Sequence, residues 1–103
     1  MSVNELALYA ILGARLREIR HTCGLTQEQL AEAVGILRTS VANIEAGRQK
    51  APLHVLYNLC QELGVELSMI LPTCGDVGER LLIAQDMPPK AAAVLERLLR
   101  KGD

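Results

Sequence analysis

The sequence predicts an all-α fold, a bundle of short helices, on three observations. Half of its 103 residues are apolar while only two, Tyr9 and Tyr57, are aromatic, so the core must be built from Leu, Ile, Val and Ala. That mix favours helix over sheet. Capping-box patterns, S-x-x-E from Ser2 and T-x-x-Q from Thr26, each open a run of helical periodicity. Glycines then stand where such runs stop, at Gly24, Gly35, Gly47 and Gly64. The length suits one domain with a modest core and leaves little for a second.

Taken in order, Ser2-Val3-Asn4-Glu5 caps a first helix whose Leu6, Tyr9, Leu12, Leu16, Ile19 and Cys23 recur at helical spacing, placing it over residues 3–23. Thr26-Gln27-Glu28-Gln29 caps a short second helix that opens at Gln27 and stops at Gly35. A glycine inside one long helix would cost about 1 kcal/mol relative to alanine, whereas a glycine between two helices can take the left-handed conformation without strain. Gly35 is therefore read as a corner. The third helix covers about 38–46, with Val41 and Ile44 on one face and Gly47 as its stop.

Pro52 suits the first turn of a fourth helix, because its missing N–H is harmless there, and Leu53, Leu56, Leu59, Cys60 and Leu63 form its stripe up to Gly64. A short fifth helix near Ser68 to Leu71 closes the unit at Pro72. Beyond it, Asp76-Val77-Gly78-Glu79 suits a helical turn running to Gln85, and Gly75 and Gly78 suit a loop equally well. Pro88-Pro89 opens a last helix ending near Lys101.

Several function classes find no support. The longest apolar run, Leu6 to Ala14, is too short to span a bilayer, and Glu5 precedes it where a secretory signal would carry positive charge; a cytoplasmic protein without membrane contact is expected. Cys23, Cys60 and Cys74 with His21 and His54 show neither CxxC nor HxxxH spacing, so no metal site or disulfide framework is expected and the thiols read as buried or half-buried. His21 and Cys23, two apart, face away from each other. Gly75-Asp76-Val77-Gly78 is too short for a phosphate loop and lacks its Lys-Ser/Thr, so it reads as turn chemistry. No constellation suggests an enzyme or a cofactor.

The net charge of −1 hides a gradient: residues 13–50 carry Arg15, Arg17, Arg20, Arg38, Arg48 and Lys50 against Glu18, Glu28, Glu32 and Glu45, a net +2. The rest of the chain is net −3. Within the basic section, two short helices joined by a glycine corner form a helix-turn-helix, whose demands are steric. The crossing needs a small residue, and Ala31 lies four positions before Gly35. Leu30, Val34, Ile36, Val41 and Ile44 supply the apolar wedge.

From Leu12 to Pro72 the chain resembles the lambda-repressor-like, Xre/Cro-type DNA-binding domain, most specifically in "LTQEQLAE", "VANIEAG" and "LCQELGV". The resemblance implies a five-helix lambda-repressor-like DNA-binding bundle over 1–72, here with an N-terminally extended first helix and a C-terminal helical extension over 73–103. It also implies a regulator of transcription that binds double-stranded operator DNA, usually as a dimer.

At about 100° per residue, Thr39, Ala42, Asn43 and Ala46 lie opposite the inward Val41 and Ile44, a small uncharged face able to approach a major groove. Arg38 at the leading end can donate two hydrogen bonds to a guanine, Asn43 can pair with an adenine, and Thr39 can offer its methyl to a thymine. Gln27 sits at the N-terminus of the second helix, where free N–H groups attract phosphate; in the family the matching position clamps the DNA backbone. Arg48, Gln49 and Lys50 follow the third helix and suit further phosphates. Glu45 is turned inward, and the resemblance implies that it pairs with Arg20. Leu37 departs from the Ser or Thr that usually caps the third helix. It reads either as extra core packing near Ile44 or as an apolar contact to a thymine methyl.

The first helix is apolar around most of its early turns, including Leu8 and Ile11, and Val94, Leu95, Leu98 and Leu99 form a second stripe. The termini pack on each other or meet a second chain; a homodimer matched to a two-fold operator is the favoured reading. A phage-type repressor, an antitoxin, a restriction-modification controller and a stand-alone regulator all fit. A protein-interaction module that binds a partner such as a toxin through these termini is the alternative, and sensing by the cysteines a weaker third.

Overall fold

A computed structural model describes residues 2–84 and residue 97. The helices are α1 (Val3–Thr22), α2 (Gln27–Val34), α3 (Arg38–Glu45), α4 (Leu53–Leu63) and α5 (Cys74–Ala84), with a 3-10 turn at Leu67–Met69 and no strand among the described residues. Both capping boxes form. Ser2 Oγ accepts the Glu5 N–H at 3.2 Å, and Thr26 Oγ1 accepts that of Gln29 at 3.0 Å while Gln29 Oε1 accepts the Thr26 N–H at 2.9 Å. Gly35 ends α2 at φ 75° and Gly64 ends α4 at φ 72°, a region in which a Cβ would be strained.

Leu12 and Leu16 of α1, Leu30 of α2, Val41 of α3, Leu59 of α4 and Ile70 are all but fully buried and form the centre of the core. Each such side chain contributes roughly 1.5–3 kcal/mol on leaving water. α2 packs on α3 and α4, while α1 crosses α3 on one side and carries α5 on the other.

Three local expectations change. Pro52 is the residue before α4 and not within its first turn. The short helix expected near Ser68 to Leu71 is the single 3-10 turn, so the fifth α-helix is Cys74–Ala84. Its cap is Thr73, three residues before the Asp76 cap that the sequence suggests: Thr73 N–H donates to Asp76 Oδ2 (2.9 Å) and Asp76 N–H to Thr73 Oγ1 (3.0 Å), a reciprocal cap. The turn reading of Gly75 to Gly78 is thereby overturned, and Gly78 is buried within the helix.

Arg15 of α1 pins this start, donating to Asp76 Oδ2 at 2.9 Å and to the Leu71 carbonyl at 3.2 Å. The Thr73 N–H first, and then the Arg15 guanidinium, hold the Asp76 carboxyl below its ordinary range. Part of the second apolar face of α1 is thus covered from within the chain. Leu8 and Ile11 are half-buried, and Leu8 lines a mostly apolar groove with Asn4, Pro72, Cys74 and Val77. Val94, Leu95, Leu98 and Leu99, with the helix expected from Pro88, lie outside the described residues.

The cysteines divide. Cys60 is buried, and burial pushes its thiol up, whereas Cys23 and Cys74 are exposed and not buried or half-buried as the usual habit of free thiols suggests.

Candidate nucleic-acid interface

The corner between α2 and α3 is closed by backbone bonds to α2: the Ile36 N–H reaches the Ala31 carbonyl at 3.0 Å and the Gly35 N–H that of Glu32 at 3.3 Å. Ala31 is 2% exposed at the crossing, so a larger residue would push the helices apart.

α3 is then seated on α1. Val41, Ile44 and Glu45 are buried, and beneath them α1 has no side chain at Gly13. A Cβ there would stand 2.2 Å from the Ile44 carbonyl oxygen and 2.6 Å from that of Glu45, so the contact is backbone to backbone. Past the end of α3, Gly47 at φ 74° meets Ala10 in the same way, a Cβ falling 2.9 Å from the Ala10 Cα. Gly47 thus does more than the helix stop its sequence context predicts, and Gly13 lies outside the predicted site residues. The available signal was a glycine inside a helix with no stop to explain it, which marks close approach.

Arg20 and Glu45 lock this seat. Arg20 Nε donates to Glu45 Oε2 at 2.6 Å and Nη2 to Oε1 at 2.9 Å, a two-pronged pair whose side chains are 6% and 2% exposed. The third guanidinium nitrogen, Arg20 Nη1, donates to the Leu25 carbonyl at 2.7 Å, and Nη2 also lies 3.1 Å from His21 Nε2, so the buried charge is satisfied on each side. From Glu45 the chain of bonds runs outward: Gln27 Nε2 donates to Glu45 Oε1 at 3.1 Å, and Arg38 Nη1 donates to Gln27 Oε1 at 3.3 Å. Gln27, Arg38, Arg20, His21 and Thr26 border one open depression.

Apart from that Arg38 bond, the leading end of α3 stands open. Arg38 and Thr39 are exposed, Ala42 and Asn43 half-buried, and Ala46 exposed again. Leu37 is the residue before α3 and makes no side-chain cap; at 71% exposure it is also not part of the core, which removes the packing reading. Arg48 is exposed and Gln49 half-buried. Lys50 is exposed but engaged, its Nζ 2.6 Å from Glu5 Oε2 on the early turns of α1. Lys50 first, then the Ser2 N–H, hold the Glu5 carboxyl below its ordinary value, and Glu5 in turn raises Lys50. This partner was legible only in part, since the capping box located Glu5 but not the loop that comes to it.

Among the described residues no cluster of His, Cys, Asp or Glu could hold a metal ion, and no helix is long and apolar enough to cross a membrane.

Residues 11–70 match the family described as a helix-turn-helix domain. An uncharacterized HTH-type transcriptional regulator of Methanothermobacter thermautotrophicus is 41% identical over 51 residues, covering 50% of this chain and 74% of that protein. The immunity repressor protein of Bacillus phage phi105 is 36% identical over 75 residues, 73% of this chain; the chain spans about half of that protein, 48%. Among solved structures, the restriction-modification controller protein C.AhdI from Aeromonas hydrophila superposes with a TM-score of 0.60 at 33% identity, covering 61% of this chain and 96% of that one.

Proposed function

Since the chain belongs to the helix-turn-helix family of transcriptional regulators, we propose that it is a repressor that binds a palindromic operator as a homodimer, with α3 in the major groove. The observation that carries this reading is the asymmetry of α3, which is seated through Val41, Ile44 and Glu45 while Leu37, Arg38 and Thr39 stand exposed at its leading end. In it, Arg38 takes a guanine, Asn43 an adenine and Thr39 a thymine methyl, each good bidentate pair contributing about 1–3 kcal/mol of discrimination.

Gln27 serves both sides of the interface. Its position at the start of α2 suits a phosphate, and its bond to Arg38 sets the guanidinium's starting position. Arg48, Gln49 and Lys50 take the next phosphates, Lys50 after exchanging Glu5 for DNA. The relative named as an immunity repressor favours repression. A homodimer formed through Leu8 and Ile11 with Val94, Leu95, Leu98 and Leu99 would place two α3 helices on half-sites about 34 Å apart. In this reading 1–72 binds DNA in the cytoplasm and 73–103 serves assembly.

A second reading, an antitoxin-like module, is favoured by the apolar groove between α1 and α5 at Leu8 and Val77. The deciding experiment titrates the protein onto DNA from upstream of its own gene at several salt concentrations, with Arg38→Ala alongside. Salt-dependent wild-type binding that Arg38→Ala weakens by about 1 kcal/mol or more supports base reading by α3. Equal affinity for that DNA, for genome-selected fragments and for random duplex would leave the partner-binding module in its place.

A further inference from the structure

The Leu37 side chain neither caps α3 nor joins the core. It occupies the position where Ser, Thr, Asp or Asn would bond a free N–H, and it makes no such bond. Its 71% exposure is the largest among the large apolar side chains of the described residues. A capping bond is given up, and an isobutyl group is held in water. Neither half of that arrangement stabilises the chain. The residue beside it, Arg38, is exposed on the same leading end, with its guanidinium drawn toward Gln27.

On the floor of a major groove only one base edge carries an apolar group, the C5-methyl of thymine. A leucine can gain nothing from the donors and acceptors of the other edges. Leu37 and Arg38 stand side by side at one end of the helix, so the base pairs within their common reach lie close together along the groove. Building on the reading of α3 as the groove helix, we propose that Leu37 reads a pyrimidine C5-methyl one step from the guanine taken by Arg38. The half-site then contains a thymine next to that guanine, and 5-methylcytosine satisfies the same contact. Operator affinity becomes sensitive to cytosine methylation at that step.

The test starts from the duplex that wild-type protein selects out of random DNA. Each thymine flanking a guanine is replaced in turn by deoxyuridine, which removes the methyl and nothing else. Cytosine and 5-methylcytosine are then compared at the same position. Loss of affinity at one such thymine by about fourfold, the equivalent of one buried methyl group, is expected, with a similar gain for 5-methylcytosine over cytosine. Leu37→Ala, at an exposed position that leaves the core intact, should show neither difference while keeping its preference for the guanine. Wild-type protein indifferent to deoxyuridine at every position, or Leu37→Ala discriminating as well as wild type, overturns the methyl reading and leaves α3 as the groove helix. A protein that selects no sequence overturns both, and assigns Leu37 to a protein contact.

Discussion

The trailing end of α3 meets α1 at Glu45 through a buried ion pair, at Ile44 through bare backbone over Gly13, and just beyond through Gly47 against Ala10. The leading end, a few residues away, has an uncapped N-terminus, an exposed leucine and an arginine whose bond to Gln27 is 3.3 Å long. One eight-residue helix thus carries rigid placement at one end and unsatisfied groups at the other. Placement requires contacts that admit no alternative, and recognition requires groups still free to make contacts. In the proposed function the two demands are met by separating them along the helix.

The harshest way to break this arrangement is Glu45→Ala, which leaves the Arg20 guanidinium buried without its carboxylate and removes a partner of Gln27. A destabilisation of about 3–5 kcal/mol in urea unfolding is expected; a loss below about 1 kcal/mol would mean that the pair does not hold the seat. Gly13→Ala comes next, and here the sign decides. An ordinary glycine inside a helix gains roughly 0.5–1 kcal/mol on becoming alanine, but this Cβ would lie 2.2 Å from the Ile44 oxygen. Destabilisation of about 1–3 kcal/mol is expected, with DNA affinity falling as α3 is displaced, and a stabilised variant would refute backbone contact.

At the other end, Leu37→Ser should move stability and selectivity in opposite directions. A restored cap adds about 0.5–2 kcal/mol to unfolding, while discrimination at one base pair declines. A variant that is more stable and reads DNA unchanged would show that the leading end does less than its exposure suggests.

The smallest effect belongs to Glu5→Gln, which keeps the capping box because glutamine also serves at that position but removes the charge facing Lys50. Both groups are well exposed, so screening keeps the pair's contribution small. Its pH dependence has a defined shape. Glu5 lies below its ordinary value, so its contribution is present above the usual glutamate range and lost as pH falls through the lowered value. Lys50 lies above its own, so its contribution is complete below the usual lysine range and lost as pH rises through the raised one. Melting temperatures of wild type and Glu5→Gln should therefore differ slightly near neutrality at low salt and converge at both extremes, while the variant binds DNA more tightly once Lys50 is free. A difference that persists in strong acid would remove the pair as its cause.

Sequence made the local features of the bundle legible because they are set by neighbours along the chain. Ser2 and Thr26 announce helix starts, Gly35 and Gly64 announce ends, and Val41 with Ile44 defines the inner face of α3. What it left obscure depended on residues distant in sequence. Gly13 acquires its meaning only when the end of α3 lies across it, and Glu5 acquires Lys50 only when the loop after α3 returns to α1. Thr73 and Asp76 were a local signal that went unread beside two glycines and a proline, which share the same segment with a cap. Leu37 was placed by its helical phase near Ile44, yet as the residue before the helix it has extended backbone, and the phase does not apply.

The seat beneath α3 is made of backbone at Gly13 and of the side turned inward at Val41, Ile44 and Glu45, with a hydrogen-bonded link from Glu45 through Gln27 to Arg38. Among the described residues the side chains of Leu37 and Thr39 make no hydrogen bond to that seat, so their codons can change while α3 stays held as it is. Under the proposed reading of α3, a lineage carrying this gene could readdress it to another promoter in a few substitutions, and a designer could do the same by grafting.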